Sequence, residues 1–517
     1  MSFFVVGSCI SLASCAILVM YRLVFSPLAS IPGRRLAAAT GLYESYYDCW
    51  KRGRYWTEIE KMHQEYGPVI RISPWEIHVN DPDWNEPYKI SSRPNKYGWY
   101  YRFVDTADTA FGTSDHDLHR RRRKAQQAYF SQEHIFDFLP TLSGLSSKLC
   151  TRLEATRKTG QITNLTNAFK ALTADVVTEF AFHKSFDLLV SPDFAASFHA
   201  ALRTYPEIGF WHRHFWIVLP LLEAIPKSLV NIMNPDGVFV LDFFDLHLHR
   251  KKNGLEGSDI ITQMLSSPDL AENDKTLSRL ALEARGLVGA GTETTGHTLT
   301  VITFYLFKNP EKLRKLKDEL SDAHESKGGV LEYQDLQRLP YLLSTSVFKT
   351  ITDENSRPLF SSLYGMSLMV KVTLQAINLR KFRISTGAAG RLPRVNLRDA
   401  LQYKQYLIPK GTPVSTTQKF IHENPTIFHD PKSFIPERWL DPADRKRLEK
   451  YLVPFGRGSR SCLGINLAYA EIYITVVKLV EGFNLELFET EEEDIVQFHD
   501  FFSPYPVSWK GLRVRVV

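Results

Sequence analysis

Cysteine is scarce in this sequence, with five residues among 517, and no two of them form a CxxC pair. So few cysteines cannot staple a chain of this length, and cysteine zinc sites need closely spaced pairs. The sequence therefore argues against a disulfide scaffold and against a cysteine zinc cluster. The five are Cys9, Cys15, Cys49, Cys150 and Cys462.

A strong excess of charge of one sign is also missing, because 63 Lys and Arg residues face 57 Asp and Glu residues, a net charge of +6. This surplus suits mildly acidic partners or an anionic membrane surface, and we expect no nucleic-acid partner. Hydrophobic residues make up 44% of the chain and charged residues 23%. That balance is typical of a folded globular protein and excludes low-complexity and fibrous classes.

Charged side chains are absent from residues 1–21. As a helix this segment would be about 31 Å long, which is enough to cross the hydrocarbon core of a bilayer. A cleaved signal peptide is the alternative, but the usual basic residues before the apolar run are missing and the run is longer than usual. Arg22, Arg34 and Arg35 follow the run, so the positive-inside rule places the remaining chain in the cytosol.

After this segment the sequence contains no second span and no clear internal boundary beyond residue 60. Two prolines and a glycine between residues 26 and 33 predict a stiff connector. We therefore expect a transmembrane anchor at 1–25, a proline-rich connector and the start of the body at 26–60, and one large domain at 61–517.

The body shows mostly helical periodicity from Asp115 to about Glu332, and Asn309-Pro310 marks a break between two helices. Alternating residues around Pro74 predict a short hairpin over 69–80. A second strand pair is predicted over 407–415, with its turn at Lys410-Gly411. The predicted fold class is mainly α with a minor β-sheet.

The segment from Phe455 to Gly464 fills all five fixed positions of the pattern F-x-x-G-x-R-x-C-x-G. Chance would produce such a match about twice in ten thousand chains of this length. The segment resembles the haem-binding loop of the cytochrome P450 family, and the resemblance extends over nearly the whole chain. It implies a P450-like single large domain behind an N-terminal transmembrane helix, with haem b as cofactor.

The resemblance assigns a role to each fixed position of this loop. Cys462 would be the axial thiolate ligand of the haem iron, and its electron donation favours cleavage of the O–O bond. Arg460 would bind a haem propionate, and Phe455 would pack beside the ligand. Gly458 and Gly464 would leave room where the backbone approaches the macrocycle. The alternative is a buried structural cysteine beside a glycine-rich turn.

Residues 290–295 read Ala-Gly-Thr-Glu-Thr-Thr within a predicted helix from about Thr276 to Lys308. Three glycines in that helix, at 286, 289 and 291, are unfavourable by roughly 1 kcal/mol each relative to alanine, which predicts a local opening. The fragment resembles the family's A-G-x-[DE]-T-[ST] motif. Glu293 would then feed protons inward, and Thr294 would hydrogen-bond the oxygen undergoing cleavage. The alternative is a solvated helix surface.

The basic run from His119 to Lys124 has three interpretations: a nucleic-acid patch, a solvated helix face, or part of a haem site. We favour the third, because His119 and Arg123 resemble the family's W-x-x-x-R with His in place of Trp. At this spacing both side chains share one helix face and would both reach a propionate. The remaining arginines would form a basic surface for an acidic electron donor. Arg394 is a further candidate for a propionate.

The family's E-x-x-R helix is difficult to place. Its Glu and Arg form a buried network with the Arg of a later P-E-R-[FW], which is present here as residues 436–439. E-x-x-R itself occurs at 154–157, 311–314 and 354–357. The first two copies lie too early, and in the third Asn, Ser and a following proline disfavour helix.

Arg383 is the better positional match for this Arg, but Arg380 stands where the Glu is expected, and Arg383 lies 41 residues beyond Leu342. A few helical turns would suffice for that interval. We therefore interpret about 346–382 as extraneous, either a retained intron or a genuine insertion.

Taken together, these features predict a haem-thiolate monooxygenase that inserts one oxygen atom from O₂ into an apolar small molecule, in terpenoid or other secondary metabolism. The resemblance is to microsomal fungal members such as the trichodiene oxygenase group. It implies NADPH-cytochrome P450 reductase as partner and single-pass anchoring in the endoplasmic reticulum membrane. Two alternatives remain: a haem-dependent isomerase or dehydratase, which would not need the Glu293-Thr294 pair, and an inactive anchored protein that fails to hold haem.

Overall fold

The computed structural model describes residues 2–233, 235–236, 258–345, 385 and 387–517. Helices dominate, as predicted, and several begin at a side-chain cap, for example where Asp115 accepts from the amide of Leu118 at 2.7 Å. The α-helices of the described residues are α1 Ser2–Met20, α2 Arg35–Ala39, α3 Leu42–Ser45, α4 Tyr55–Tyr66, α5 His116–Gln127, α6 Gln132–Thr159, α7 Leu165–Phe182, α8 Ala196–His214, α9 Val218–Glu223, α10 Lys227–Met233, α11 Ile260–Ser266, α12 Leu277–Lys308, α13 Pro310–Lys327, α14 Tyr333–Leu336, α15 Pro340–Thr345, α16 Gln418–His422, α17 Pro442–Glu449 and α18 Ile465–Gly482.

The strands are short and form four small sheets. They are β1 Val69–Arg71, β2 Ile77–Val79, β3 Asn95–Lys96, β4 Ile162–Asn164, β5 Arg394–Val395, β6 Leu401–Tyr403, β7 Tyr406–Ile408, β8 Pro413–Ser415, β9 Leu485–Leu487, β10 His499–Phe501, β11 Ser503–Tyr505 and β12 Arg513–Val516. The largest sheet has the order β1-β2-β8-β5-β3, and a three-stranded sheet has the order β4-β12-β9. The pairs β6-β7 and β10-β11 complete the set.

The two predicted strand pairs have different outcomes. The hairpin around Pro74 is confirmed, because β1 and β2 are antiparallel with Val69 opposite Val79. The pairing predicted across Lys410-Gly411 is wrong, although both strands exist. β7 pairs with β6, whereas β8 is buried between β2 and β5 in the largest sheet. The turn at Gly411 therefore connects two sheets.

The apolar N-terminal helix stands apart from the packed body. It runs as α1 and continues as a π-helical turn, Tyr21–Phe25. Residues Phe4–Phe25 have a mean hydropathy of 2.1 and none of their window is buried, so length and composition fit a membrane span. Beyond it, Leu28 and Ile31 pack against the largest sheet, which attaches the connector to the body.

Helix α12 lies at the centre of the main hydrophobic core and packs along α7 and against α18. It ends at Lys308 and α13 begins at Pro310, as the Asn309-Pro310 break predicts. A Cβ on Gly291 would lie 2.8 Å from Cγ2 of Val177 in α7, so this glycine permits the close approach of the two helices. The predicted opening is not observed, because α12 is an unbroken α-helix from Leu277 to Lys308.

Candidate functional site

Cys462 lies immediately before the N-terminus of α18, in a loop held by its own backbone. The amide of Cys462 donates to the carbonyl of Phe455 at 2.8 Å, and that of Ser461 donates to Gly458 at 3.2 Å. The Cys462 side chain is exposed although protein surrounds it, so it lines an internal space. Burial raises the pKa of its thiol, while the Gly464 amide and the Arg123 charge oppose that rise.

The two motif glycines of this loop differ in what they contact. Gly458 has a φ of +72°, and a Cβ on it would lie 2.3 Å from the carbonyl oxygen of Tyr88. A Cβ on Gly464 would lie 3.7 Å from the ring of Phe130, an ordinary contact distance. The glycine at 458 is therefore required by the protein backbone itself, whereas the sequence interpretation gave approach to the macrocycle as the reason for both.

Helix α12 presents accessible residues in the middle of an otherwise buried element. Gly289 and Ala290 are exposed, and no atom of the described residues lies within 4 Å of a Cβ built on Gly289. Thr294, one turn further, is half-buried, and its hydroxyl donates to the carbonyl of Ala290 at 2.7 Å. These residues form an accessible stretch of α12.

Glu293 is buried and faces α7 rather than open space. Its Oε2 accepts from Nζ of Lys170 at 2.8 Å. Burial opposes ionisation, but Lys170 holds the pKa of this carboxyl below its usual value. His297 and His199, which lie nearby, have pKa values lowered by burial to about 4. The structure thus places an ionised carboxylate next to Thr294.

Five basic residues gather beside the cysteine loop, and we call them the cation cluster: Lys96, His119, Arg123, Arg394 and Arg460. Arg123 donates from Nη1 to the carbonyl of Ser461 at 2.7 Å. Arg394 donates to the hydroxyl of Tyr101 at 2.8 Å, and Arg460 donates to the carbonyls that precede α5. Sequence reasoning found four of the five and missed Lys96, which belongs to no recognised motif.

The cation cluster has no acidic counterpart in the described part of the chain. No carboxylate oxygen there lies within 4.0 Å of the charged nitrogens of its lysine and three arginines. Burial and neighbouring cations lower the pKa of Arg460 to about 9 and that of His119 to about 2, so His119 is the neutral member of the cluster. Nε of Arg460 and Nδ1 of His119 are buried without a partner among the described residues. Buried cations need a counterion, so this donor set fits the two carboxylates of a haem.

The rest of the basic run on α5 is not one surface. Arg120 and Arg121 are exposed, but Arg122 is buried in an ion pair with Asp274 at 2.6 Å. Lys124 is paired with Asp269 at 2.8 Å. The expectation that all remaining arginines form a basic surface is therefore corrected for Arg122, which links α5 to the segment before α12.

The described copies of E-x-x-R are surface features. Glu154 and Arg157 pair at 2.8 Å on the exposed face of α6, whereas Glu311 and Arg314 of α13 bind other partners. Residues 354–357, Arg380 and Arg383 lie outside the described residues. Arg438 is half-buried rather than buried, and its guanidinium donates to the carbonyls of His429, Asp430 and Ile435.

Three phenylalanines pack together at the tip of the β10-β11 hairpin, which residues 387–389 connect to Thr294. Phe502, at the tip of the β10-β11 hairpin, stacks on Phe103 at 5.1 Å and meets Phe111 edge-on at 5.2 Å. The carbonyl of Phe502 accepts from the amide of Ala389 at 2.7 Å. Two residues before Ala389, a Cβ on Gly387 would lie 3.0 Å from Cβ of Thr294.

Comparisons with known proteins agree with this geometry. The family model described as Cytochrome P450 matches residues 47–345 and 381–507. Cytochrome P450 monooxygenase MO6277 of Ascocoryne sarcoides is 34% identical, over 97% of this chain and 96% of its own length. Tryptophan 6-hydroxylase fscE of Fusarium equiseti is 34% identical, over 97% and 95%. Cytochrome P450 monooxygenase TRI4 of Trichoderma arundinaceum is 33% identical, over 96% and 93%.

These matches cover most of the chain and confirm the resemblance seen in the sequence, including its likeness to the trichodiene oxygenase group. Members of the family carry haem with a cysteine thiolate on the iron, and they use O₂, a redox partner and a small-molecule substrate. The chain belongs to the cytochrome P450 family of haem-thiolate monooxygenases.

Proposed function

We propose that this chain is a membrane-anchored monooxygenase that holds haem b between Cys462 and helix α12 and oxygenates an apolar small molecule of fungal secondary metabolism. The observation that carries the proposal is the cation cluster beside Cys462, which is buried or half-buried and has no carboxylate partner within 4.0 Å among the described residues. When bound, haem supplies the activation of O₂ and the transfer of one oxygen atom, while the other atom leaves as water with two electrons and two protons.

The residues of the loop and the cation cluster would hold the cofactor. The Cys462 thiolate is the proposed iron ligand, with the Gly464 amide and Arg123 favouring its ionised form. His119, Arg123, Arg394 and Arg460 would bind the propionates, because each lies in the cluster and none is neutralised by a described acid. Phe455, half-buried against Tyr469, would pack beside the ligand.

Thr294 and Glu293 would supply protons from the opposite side. The Thr294 hydroxyl lies on the accessible stretch of α12 and can donate toward open space once it leaves the carbonyl of Ala290. Glu293 is ionised beside Lys170 and can take up a proton and pass it inward. This intact pair favours oxygenation over the haem-dependent isomerase or dehydratase alternative, which has no use for delivered protons.

An apolar substrate fits the surroundings of Thr294. Phe103, Phe111 and Phe502 pack against one another, and residues 387–389 connect them to Thr294, so their rings would offer the substrate an apolar surface with weakly polar edges. One relative is named tryptophan 6-hydroxylase, which makes it a hydroxylase of a small molecule with an aromatic side chain. We keep the substrate class at apolar small molecules.

The anchor sets the proposed location and partner. An exposed apolar span at Phe4–Phe25, followed by Arg22, Arg34 and Arg35, supports single-pass insertion in the endoplasmic reticulum membrane with the catalytic domain in the cytosol. NADPH-cytochrome P450 reductase would then supply the electrons from the same membrane. The exposed Arg120 and Arg121 on α5 lie on the helix that carries Arg123, so a reductase bound there would be close to the cofactor.

We also propose that residues 346–382 are extraneous to the catalytic fold. The family match stops at residue 345 and resumes at 381, which supports this interpretation. If this segment disrupts the helix in which the family's Glu is expected, the chain would fail to retain haem and would be inactive. Sequencing the transcript separates a retained intron from a genuine insertion, because a spliced message would lack these codons.

The reduced carbon monoxide difference spectrum of the full chain tests the proposed function. A thiolate-type Soret band is expected, and Cys462→Ser is expected to abolish it. With reductase and NADPH, product formed under ¹⁸O₂ should carry one labelled atom. A labelled product would contradict the isomerase alternative, whereas the absence of any haem spectrum from a folded chain would contradict the whole proposal.

A further inference from the structure

Lys96 occupies an unusual position in the largest sheet. It lies on β3, and the antiparallel register with β5 places it directly opposite Arg394. Both side chains are buried, with 6% and 4% of their surface exposed. Like charges directly opposite each other across two strands are destabilising, and burial strengthens the repulsion because water no longer screens it. The fold therefore keeps two buried cations opposite each other without a carboxylate partner for either among the described residues.

The contacts of Lys96 fix its position without neutralising its charge. Its Nζ lies 4.1 Å from the ring centroid of Tyr101 and 3.8 Å from that of Phe111, and it donates to the carbonyl of Phe111. An ammonium group has three donors, and among the described residues only this carbonyl accepts from it. Burial, together with the charges of Arg394, Arg460 and Arg123, lowers the pKa of Lys96 well below its usual value.

We propose that Lys96 binds a propionate carboxylate of haem together with Arg394 and Arg460, as a cofactor-binding residue that lies outside every motif of this chain. This inference rests on the proposed function, because it needs haem in the site beside Cys462. The two propionates would neutralise the charges of Lys96, Arg394 and Arg460. The rings of Tyr101 and Phe111 would keep the Lys96 ammonium directed toward the propionates. The β3-β5 edge of the sheet would then be stabilised by the cofactor.

Lys96→Met tests the proposal in the full-length holoprotein, because it keeps the length of the side chain and removes its charge. Lys89→Met is the matched control, since Lys89 is 54% exposed and paired with Glu86 on the same stretch of chain. Two quantities are measured: the rate of haem transfer to excess apomyoglobin, and the position of the propionate-bending band in the resonance Raman spectrum. Loss of one charge-assisted hydrogen bond should make haem transfer about tenfold faster.

The expected result is faster haem transfer and a shifted propionate band in Lys96→Met, with neither change in Lys89→Met. A variant that unfolds at lower temperature but keeps both the transfer rate and the band position would overturn the proposal and leave Lys96 as a structural cation of the aromatic pair. If Lys96→Met does not accumulate, Lys96→Arg replaces it, because a guanidinium on the carboxylate must shift the band, and an unshifted band overturns the proposal. A wild-type chain without any haem spectrum would instead contradict the proposed function.

Discussion

Replacing Gly458 by alanine should damage the cysteine loop for reasons that belong to the protein alone. The residue has a φ of +72°, in the left-handed region, which costs a residue with a Cβ roughly 1–2 kcal/mol. The new Cβ would also lie 2.3 Å from the Tyr88 carbonyl oxygen, far inside the 3.0 Å that real Cβ contacts respect. Because that oxygen is backbone, the loop must move, and overpacking of this kind costs about 1–3 kcal/mol. The expected loss is therefore about 2–5 kcal/mol.

The assay compares Gly458→Ala with Gly464→Ala, the other glycine of the same motif. Position 464 has a Cβ clearance of 3.7 Å to Phe130 and a φ of −86°, so alanine is accommodated there without strain and should cost at most about 1 kcal/mol as a poorer N-cap residue than glycine. Haem content per chain and the midpoint of thermal unfolding are measured for both. Gly458→Ala should lose most of its haem and unfold at clearly lower temperature, whereas Gly464→Ala should keep its haem and unfold close to wild type. Greater damage from Gly464→Ala would refute the reasoning and support proximity to the macrocycle as the cause.

Three further outcomes are expected. Cys462→Ala should abolish the thiolate spectrum and all oxygenation, because no neighbouring side chain offers equivalent donation; retention of that spectrum in the variant would disprove the ligand assignment. Thr294→Ala should still bind haem but release reducing equivalents as peroxide, and full coupling of NADPH use to product would contradict its role. Burial and the charge of Asp48 raise the pKa of Asp500 from 3.8 to about 7. The folded protein therefore loses stability as this carboxyl ionises, over the range from about pH 4 to about pH 7. Asp500→Asn should stabilise the fold at pH 8 by about 1–3 kcal/mol and much less at pH 5, which thermal unfolding at the two pH values would measure.

The local features of the fold could be predicted from the sequence. Helix α12 and the Asn309-Pro310 break were readable because periodicity and helix-breaking residues act within a few positions of the chain. The pairing of β7 and β8 was not readable, since both strands have suitable residues and only burial between β2 and β5 selects the partner of β8. Arg122 shows the same limit, because its partner Asp274 is 152 positions away.

The candidate site divides in the same way. Cys462 and its loop are contiguous, so a fixed pattern identifies them in one sequence. The cation cluster is assembled from α5, β3, β5 and the loop before α18, and no spacing rule connects those elements. In the sequence, nothing distinguishes Lys96 from an ordinary surface lysine beside Tyr97. Its proposed role follows only from the structure, where the strand register places it opposite Arg394 and the rings of Tyr101 and Phe111 lie against its ammonium.

A buried charged side chain that has no counterion in the protein therefore points to a binding function. The deeply buried acids Glu44 and Glu76 are each paired, both with Arg391, at 2.5 Å and 2.7 Å, as burial demands of a structural ion pair. The same fold leaves Lys96, Arg394 and Arg460 together without such a partner among the described residues. Arg71 is also buried without a carboxylate partner among the described residues, but it stands alone and donates to the carbonyls of Arg22 and Pro74, whereas three such cations lie together at the cysteine loop. A dianionic cofactor bound at that loop would supply the missing carboxylates, and the cluster would then contribute to stability only in the haem-bound protein.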